Sequence, residues 1–279
     1  LAARGEMFLL HARDCAERFN PTLQEVENKL KILLQMNMVL MYAGAKPVIK
    51  VGRFAGQYAK PRSRPTETID GRELPSYFGD IVNRPEPDPL SRALNPKNLL
   101  DAYNFSCSTL NIIRSLSHGG FADLHRVHEF NKEFIRESTA GRHYEEIASG
   151  ITRALHFMDA ASIHSPSVTT TDFYTSHEAL LLDYETALTR QDESGRWYDL
   201  SAHMLWIGER TRQTDGAHVE FMRGINNPIG VKLGPATNKD ELKRLLALLN
   251  PANEWGRITL ITRLGADRIA RAASLRSGA

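Results

Sequence analysis

Short apolar, β-prone runs alternate along the chain with longer amphipathic stretches. "MFLLHA" (Met7–Ala12) precedes a long helical pattern over about Leu23 to Tyr42, and "PVIKVGRFAG" (Pro47–Gly56) follows at once. Helical material resumes with "NPKNLLDAYNFSCSTLNIIRSL" and "FADLHRVHEFNKEFIRE". Four further strands are predicted at Ala154–Ala160, Ser201–Glu209, Ile229–Gly234 and Arg257–Gly265. "EALLLDYETALTR" is the helix before the fourth of the six strands. "TNKDELKRLLALLN" lies between the fifth and sixth, with Thr237 or Asn238 as its N-cap and Asn250-Pro251 as its stop.

Continuously apolar strands alternating with helices predict a parallel sheet, either doubly wound or a (β/α) barrel. No glycine-rich phosphate fingerprint follows the first strand, which weighs against a dinucleotide-binding fold. The segment from Lys60 to Pro96, dense in Pro, Arg and Asp, reads as an extended loop, centred on 61–95, and 96–137 as additional helices. The rest of 1–279 reads as one incomplete barrel domain. The chain opens at Leu1 and closes in "RIARAASLRSGA", and so reads as an excerpt of a longer protein.

The charges fall where a core would not put them. Alternation places Lys232 on one face with Gly230 and Gly234, and Arg263 with Ile261 and Thr259. Arg53 ends the second strand, and Glu209 with Arg210 closes the fourth. Parallel-sheet enzymes carry their chemistry at the carboxyl ends of strands. Four strands delivering Arg53, Glu209/Arg210, Lys232 and Arg263 to one rim predict an anion pocket suited to phosphate and carboxylate. The competing reading is a set of unrelated surface ion pairs. Lys60, Arg62 and Ser63 in "GQYAKPRS" follow the second strand and add two cations and a hydroxyl to the same rim.

Composition narrows the class further. Of 279 residues, 24% are charged with a net charge of only +2, so no basic stripe argues for nucleic acid. No apolar run reaches the roughly 18 residues of a membrane helix. Two cysteines, Cys15 and Cys107, make no disulfide framework and suit the cytoplasm. On its own, Cys15 reads as packing sooner than as a nucleophile or ligand. His118, His125 and His128 read as packing or surface residues.

Taken together, "RDCAERF", "GRFAGQYAKPRS", "SHGGFADLHRVHEFN", "FYTSHEALLLDYE", "SAHMLWIGERTRQ", "NPIGVKLGP" and "RITLITRLG" resemble the class II 3-deoxy-D-arabino-heptulosonate 7-phosphate (DAHP) synthases. The resemblance implies a (β/α)8 TIM barrel, here with about six of its eight strands. It implies condensation of phosphoenolpyruvate with erythrose 4-phosphate at the entry to the shikimate pathway, aided by a divalent metal such as manganese or cobalt. By motif, Arg53, Glu209, Arg210, Lys232 and Arg263 match phosphoenolpyruvate-binding positions. Lys60, Arg62 and Ser63 match those that meet erythrose 4-phosphate, with Glu178 a further rim carboxylate. Lys60, Glu209 and Lys232 are the catalytic candidates, and Cys15 matches a metal ligand. A homo-oligomer is expected, with a chorismate mutase as a conceivable partner. The family's two glycines before the Asp-Cys pair are replaced here by His11-Ala12-Arg13, which points to a specialised branch. Alternatives are an aminoDAHP or phenazine-type homologue, or an inactive fragment that binds a regulatory partner; the chain alone is expected to be inactive.

Overall fold

The computed structural model describes residues 1–12, 15–138, 141–163, 165–268 and 270. In chain order the first elements are β1 (Phe8–Ala12), α1 (Leu23–Gly44), β2 (Val48–Gly52), β3 (Thr66–Ile69), β4 (Arg72–Pro75) and α2 (Asn98–His118). Next come α3 (Leu124–Glu137), α4 (Glu145–Ala160), α5 (Pro166–Thr169), β5 (Tyr174–Glu178), α6 (Leu182–Leu188), β6 (Thr189–Gln191) and β7 (Trp197–Asp199). The last are β8 (Met204–Ile207), α7 (Ala217–Gly224), β9 (Ile229–Leu233), α8 (Lys239–Leu249) and β10 (Ile258–Thr262). Among the described residues, six strands (β1, β2, β5, β8, β9 and β10) pair in parallel. Strand–helix alternation of this kind is that of the (β/α) barrel.

The chain divides into two compact units, the first formed by Leu1–Arg13, Asn20–Gly52 and Ser106–Tyr174. In it β1 pairs with β2, Leu10 opposite Lys50. A capping box starts α1: Thr22 Oγ1 accepts from Glu25 N at 3.2 Å, while Thr22 N donates to Glu25 Oε2 at 2.7 Å. Leu30, Leu34 and Met38 on α1 pack against Val127 on α3 and Ile151 and Leu155 on α4, all nearly free of solvent. Each such side chain contributes roughly 2 kcal/mol by burial. His128 is buried here, its Nε2 2.8 Å from Thr152 Oγ1.

The strand expected at Ala154–Ala160 is helical. Residues 154–160 end helix α4, because Ile147, Ile151 and Leu155 recur every four positions and line one helical face. The third parallel strand is instead β5, "YTSHE", whose Thr175, Ser176, His177 and Glu178 are all buried.

The second unit comprises Asp14–Phe19, Arg53–Phe105 and Thr175–Ala279. Its strands run β5-β8-β9-β10, with Glu178 opposite Trp206, Trp206 opposite Gly230, and Lys232 opposite Ile261. One face of β8 and β9, with Leu205, Ile207, Ile229, Val231 and Leu233, packs on Val219 and Met222 of α7 and Leu242, Leu245 and Leu249 of α8. Asn238 caps α8, accepting from Glu241 N at 2.8 Å. The other face carries Glu178, Trp206, Gly230 and Lys232, so the polar face is fixed by the same register that builds the core. Within the 61–95 segment, β3 and β4 form an antiparallel hairpin. Asp70 (φ 49°) and Gly71 (φ 76°) supply the two positive φ angles that a tight hairpin turn of this hand requires.

Candidate functional site

The site lies wholly within the second unit. Glu178 is the last residue of β5, Lys232 the penultimate one of β9, and Arg263 the first after β10. Gly208, Glu209 and Arg210 follow β8 directly. Together with Pro61 these residues line a cavity of about 400 Å³ at the carboxyl ends of the strands.

Charge is organised around Trp206, which is fully buried. The Arg53 guanidinium stacks over the indole at 4.6 Å, and Lys232 Nζ lies 5.1 Å from the ring centre. Lys232 Nζ donates to Glu178 Oε2 at 2.6 Å, and Trp206 Nε1 donates to the same oxygen at 3.2 Å. Glu178 is 3% exposed, so its charge requires these donors. Burial draws the Lys232 ammonium below the ordinary lysine range. Glu178 opposes that shift, and Arg53 and Arg263 reinforce it. The Glu178 backbone N–H also donates to Gln57 Oε1 at 3.0 Å.

Two glycines make room for carboxylates. A Cβ on Gly234 would collide with the carboxylate of Glu209, and one on Gly208 with Oε1 of Glu178. Gly230 leaves space beside Trp206, where a Cβ would lie 2.8 Å from the tryptophan Cβ. Small residues at these positions therefore set how deeply the two carboxylates seat among the cations.

The "KPRS" segment reaches the cavity through Pro61. Arg210 Nη2 donates to Ser63 Oγ at 2.7 Å. Arg62 pairs with Glu67 of β3, and Lys60 N donates to Phe78 O at 2.7 Å. Behind β5, the imidazole Nε2 of His177 lies 2.9 Å from Glu185 Oε1, and Ser201 Oγ donates to Glu185 Oε2 at 2.7 Å. Burial opposes charge on His177, but Glu185 overcomes it and leaves the imidazole raised. Burial, and then Glu185, push the Asp199 carboxyl up to about 7.

The strand ends thus collect two arginines, a lysine and two carboxylates in one cavity, with a third arginine, Arg53, stacked on Trp206. The class-II DAHP synthetase family model matches residues 1–275. The chain belongs to that family. It is 52% identical over 269 residues to a phospho-2-dehydro-3-deoxyheptonate aldolase of Streptomyces coelicolor, covering 96% of this chain and 60% of that protein. A protein of the same name from Neurospora crassa is 46% identical over 285 residues, with 96% and 59% covered. The aldolase AroG of Mycolicibacterium smegmatis is 46% identical over 274 residues, with 96% and 58% covered. The chain thus spans about three-fifths of the length of these curated relatives.

Of the residues nominated from sequence, the cavity gathers Glu178, Glu209, Arg210, Lys232 and Arg263. Arg53 joins them through Trp206, and Ser63 through Arg210. Arg62 is held by Glu67, and Lys60 and Arg62 flank the cavity residue Pro61. Cys15 stands apart: it is exposed, and among the described residues no group of three or more His, Cys, Asp and Glu side chains could hold a metal. Arg13, beside it, lies outside the described residues. Structural zinc sites use about four ligands and catalytic ones about three, so the described residues alone do not make up a complete metal site. Sequence reasoning missed Trp206, Gln57, Glu67 and Gly208, and placed Gly234 beside Lys232 without its role in seating Glu209. Trp206 alone carried a signal, as the aromatic residue of "MLWIGE" on the same face as Gly208.

Proposed function

We propose that the protein condenses phosphoenolpyruvate with erythrose 4-phosphate, giving DAHP and inorganic phosphate, the first step of the shikimate route to aromatic amino acids. The observation that carries this reading is the cationic cavity at the strand ends, in a chain of the class-II DAHP synthetase family. Both reactants are anionic, and a confined pocket must neutralise their charges before their carbons can approach.

In this reading Arg210, Lys232 and Arg263, with Arg53 behind them, bind the phosphate and carboxylate of phosphoenolpyruvate. Lys60, Arg62 and Ser63 bind the phosphate of the aldose. The methylene carbon of phosphoenolpyruvate attacks the aldehyde carbon, forming the new C–C bond, and the aldehyde oxygen takes a proton. Lys232 suits that donation, since burial makes its ammonium more acidic; Lys60 is the second candidate. Water adds to the electron-poor enol carbon and loses a proton, and the C–O bond to phosphate breaks. Glu209, seated against Gly234, orients that water. Glu178, expected at the rim to meet the aldose, shares the cavity and also fixes Lys232.

The family resemblance implies a divalent ion, and Cys15 is proposed as one of its ligands. The free state of Cys15 and Cys107 accords with a cytoplasmic setting, and among the described residues no helix is long and apolar enough to cross a membrane. We also propose that the protein is a homo-oligomer with a chorismate mutase as a partner. Incubating the full protein with both substrates and a divalent ion should release DAHP and phosphate in equal amounts. No product under those conditions, or consumption of only an aminosugar phosphate, would overturn the reading.

A further inference from the structure

The "KPRS" segment is held from a second direction, by the β3–β4 hairpin. Glu67, the second residue of β3, pairs with Arg62 through Oε2. Its other oxygen, Oε1, accepts from Arg92 Nη1 at 2.5 Å and from Tyr77 N at 3.2 Å. Arg92 is 3% exposed, yet every edge of its guanidinium is used. Nε donates to Glu86 O at 3.0 Å, Nη2 to Pro85 O at 2.8 Å, and Nη1 also to Pro75 O at 3.0 Å. A buried cation so fully satisfied is an anchor with one orientation. Glu67 passes that orientation on, because one of its oxygens is pinned by Arg92 while the other meets Arg62. The hydrogen bond to Arg92 is the largest influence holding the Glu67 carboxyl below the usual range, so it stays ionised.

Arginine brings five N–H donors, and the bond to Glu67 engages Nη2. The arrangement resembles the outer partners that orient metal-bound imidazoles, where the second contact sets the direction of the first. We propose that Glu67 is a positioning residue: anchored by Arg92, it presets the Arg62 guanidinium for the phosphate of the aldose substrate. This rests on the function proposed above. Were Glu67 merely a competing anion, its removal would strengthen phosphate binding. As a positioning group, its removal weakens binding, because Arg62 must then be ordered by the ligand itself.

The two accounts differ in sign, and calorimetric titration of the full protein reads that sign. Erythrose 4-phosphate and phosphoenolpyruvate are titrated separately into wild type, Glu67→Gln and Glu67→Asp. The expected result is about a tenfold weaker affinity for erythrose 4-phosphate in Glu67→Gln, phosphoenolpyruvate affinity within about twofold of wild type, and partial recovery in Glu67→Asp. Equal or tighter erythrose 4-phosphate binding in Glu67→Gln overturns the proposal, as does an equal loss for both ligands. If Glu67→Gln fails to unfold cooperatively in urea, Arg92→Lys replaces it, since a lysine supplies a point charge without the fork, and the same ligand selectivity is expected. A wild type that binds neither ligand would sink the functional reading itself, whereas a wild type that binds both, with unselective variants, sinks only the role of Glu67.

Discussion

Replacing Lys232 with Met keeps a long, flexible side chain and removes one charge from a pair that is almost free of solvent. The side chains of Lys232 and Glu178 are 13% and 2% exposed. Without the ammonium, Glu178 retains Trp206 Nε1–H at 3.2 Å but loses its cationic contact at 2.6 Å. Stranding one member of a buried pair costs about 3 kcal/mol or more. The penalty of Lys232→Met is therefore expected near about 3 kcal/mol, measured by urea unfolding. Adding Glu178→Gln should recover most of the loss, because no charge is then left stranded. A cost below about 1 kcal/mol, or a double variant no more stable than Lys232→Met alone, would refute the buried pair.

Three further outcomes follow from the same geometry. The folded-state pKa of Lys232 is depressed, so its proton is lost below the usual lysine range near 10.4, and phosphoenolpyruvate affinity should fall with rising pH before that value; calorimetry in Lys232→Arg should move the fall upward or abolish it. Asp199, raised to about 7, holds a proton that the unfolded chain releases near 3.8, so its contribution to stability declines as pH rises from about 4 to 7; Asp199→Asn should flatten that slope in urea unfolding and gain about 1–2 kcal/mol at pH 8. Gly234→Ala should displace the Glu209 carboxylate, the far end of a half-buried side chain, at little cost in stability. It should lower turnover at least about tenfold, towards the lower end of a general acid–base contribution, while Gly224→Ala, with open space around it, should leave turnover unchanged.

Much of the fold was legible because apolar side chains report burial. Strands β1, β2, β8, β9 and β10 are legible in their apolar runs, and helix α8 in the stretch before Asn250-Pro251, with Asn238 the one of its two candidate caps, Thr237 and Asn238, that serves. The third strand escaped for the opposite reason. Residues Thr175–Glu178 are buried through hydrogen bonds and ion pairs, which no hydropathy pattern registers. Its place was given to Ala154–Ala160, a window too short to reveal the helical spacing of Ile147, Ile151 and Leu155. The β3–β4 hairpin was readable from Asp70-Gly71 between "TETI" and "RELP", and the density of proline around it hid that signal.

For the candidate site, strand alternation put Lys232 on the face where it stands, because a register of two leaves no freedom once the core face is set. What alternation could not supply were contacts between distant segments. The bridge from Trp206 to Glu178, 28 residues away, and the Arg62–Glu67–Arg92 chain depend on loop paths that no local pattern encodes.

The account stands on phosphoenolpyruvate being held by the strand-end cations, and a crystal structure of the full protein soaked with phosphoenolpyruvate tests this most directly. The prediction is a molecule in the cavity between β8, β9 and β10, with phosphate or carboxylate oxygens within hydrogen-bond distance of Lys232, Arg210 and Arg263. A molecule bound elsewhere, or a cavity left without it at saturating concentration, would contradict the account.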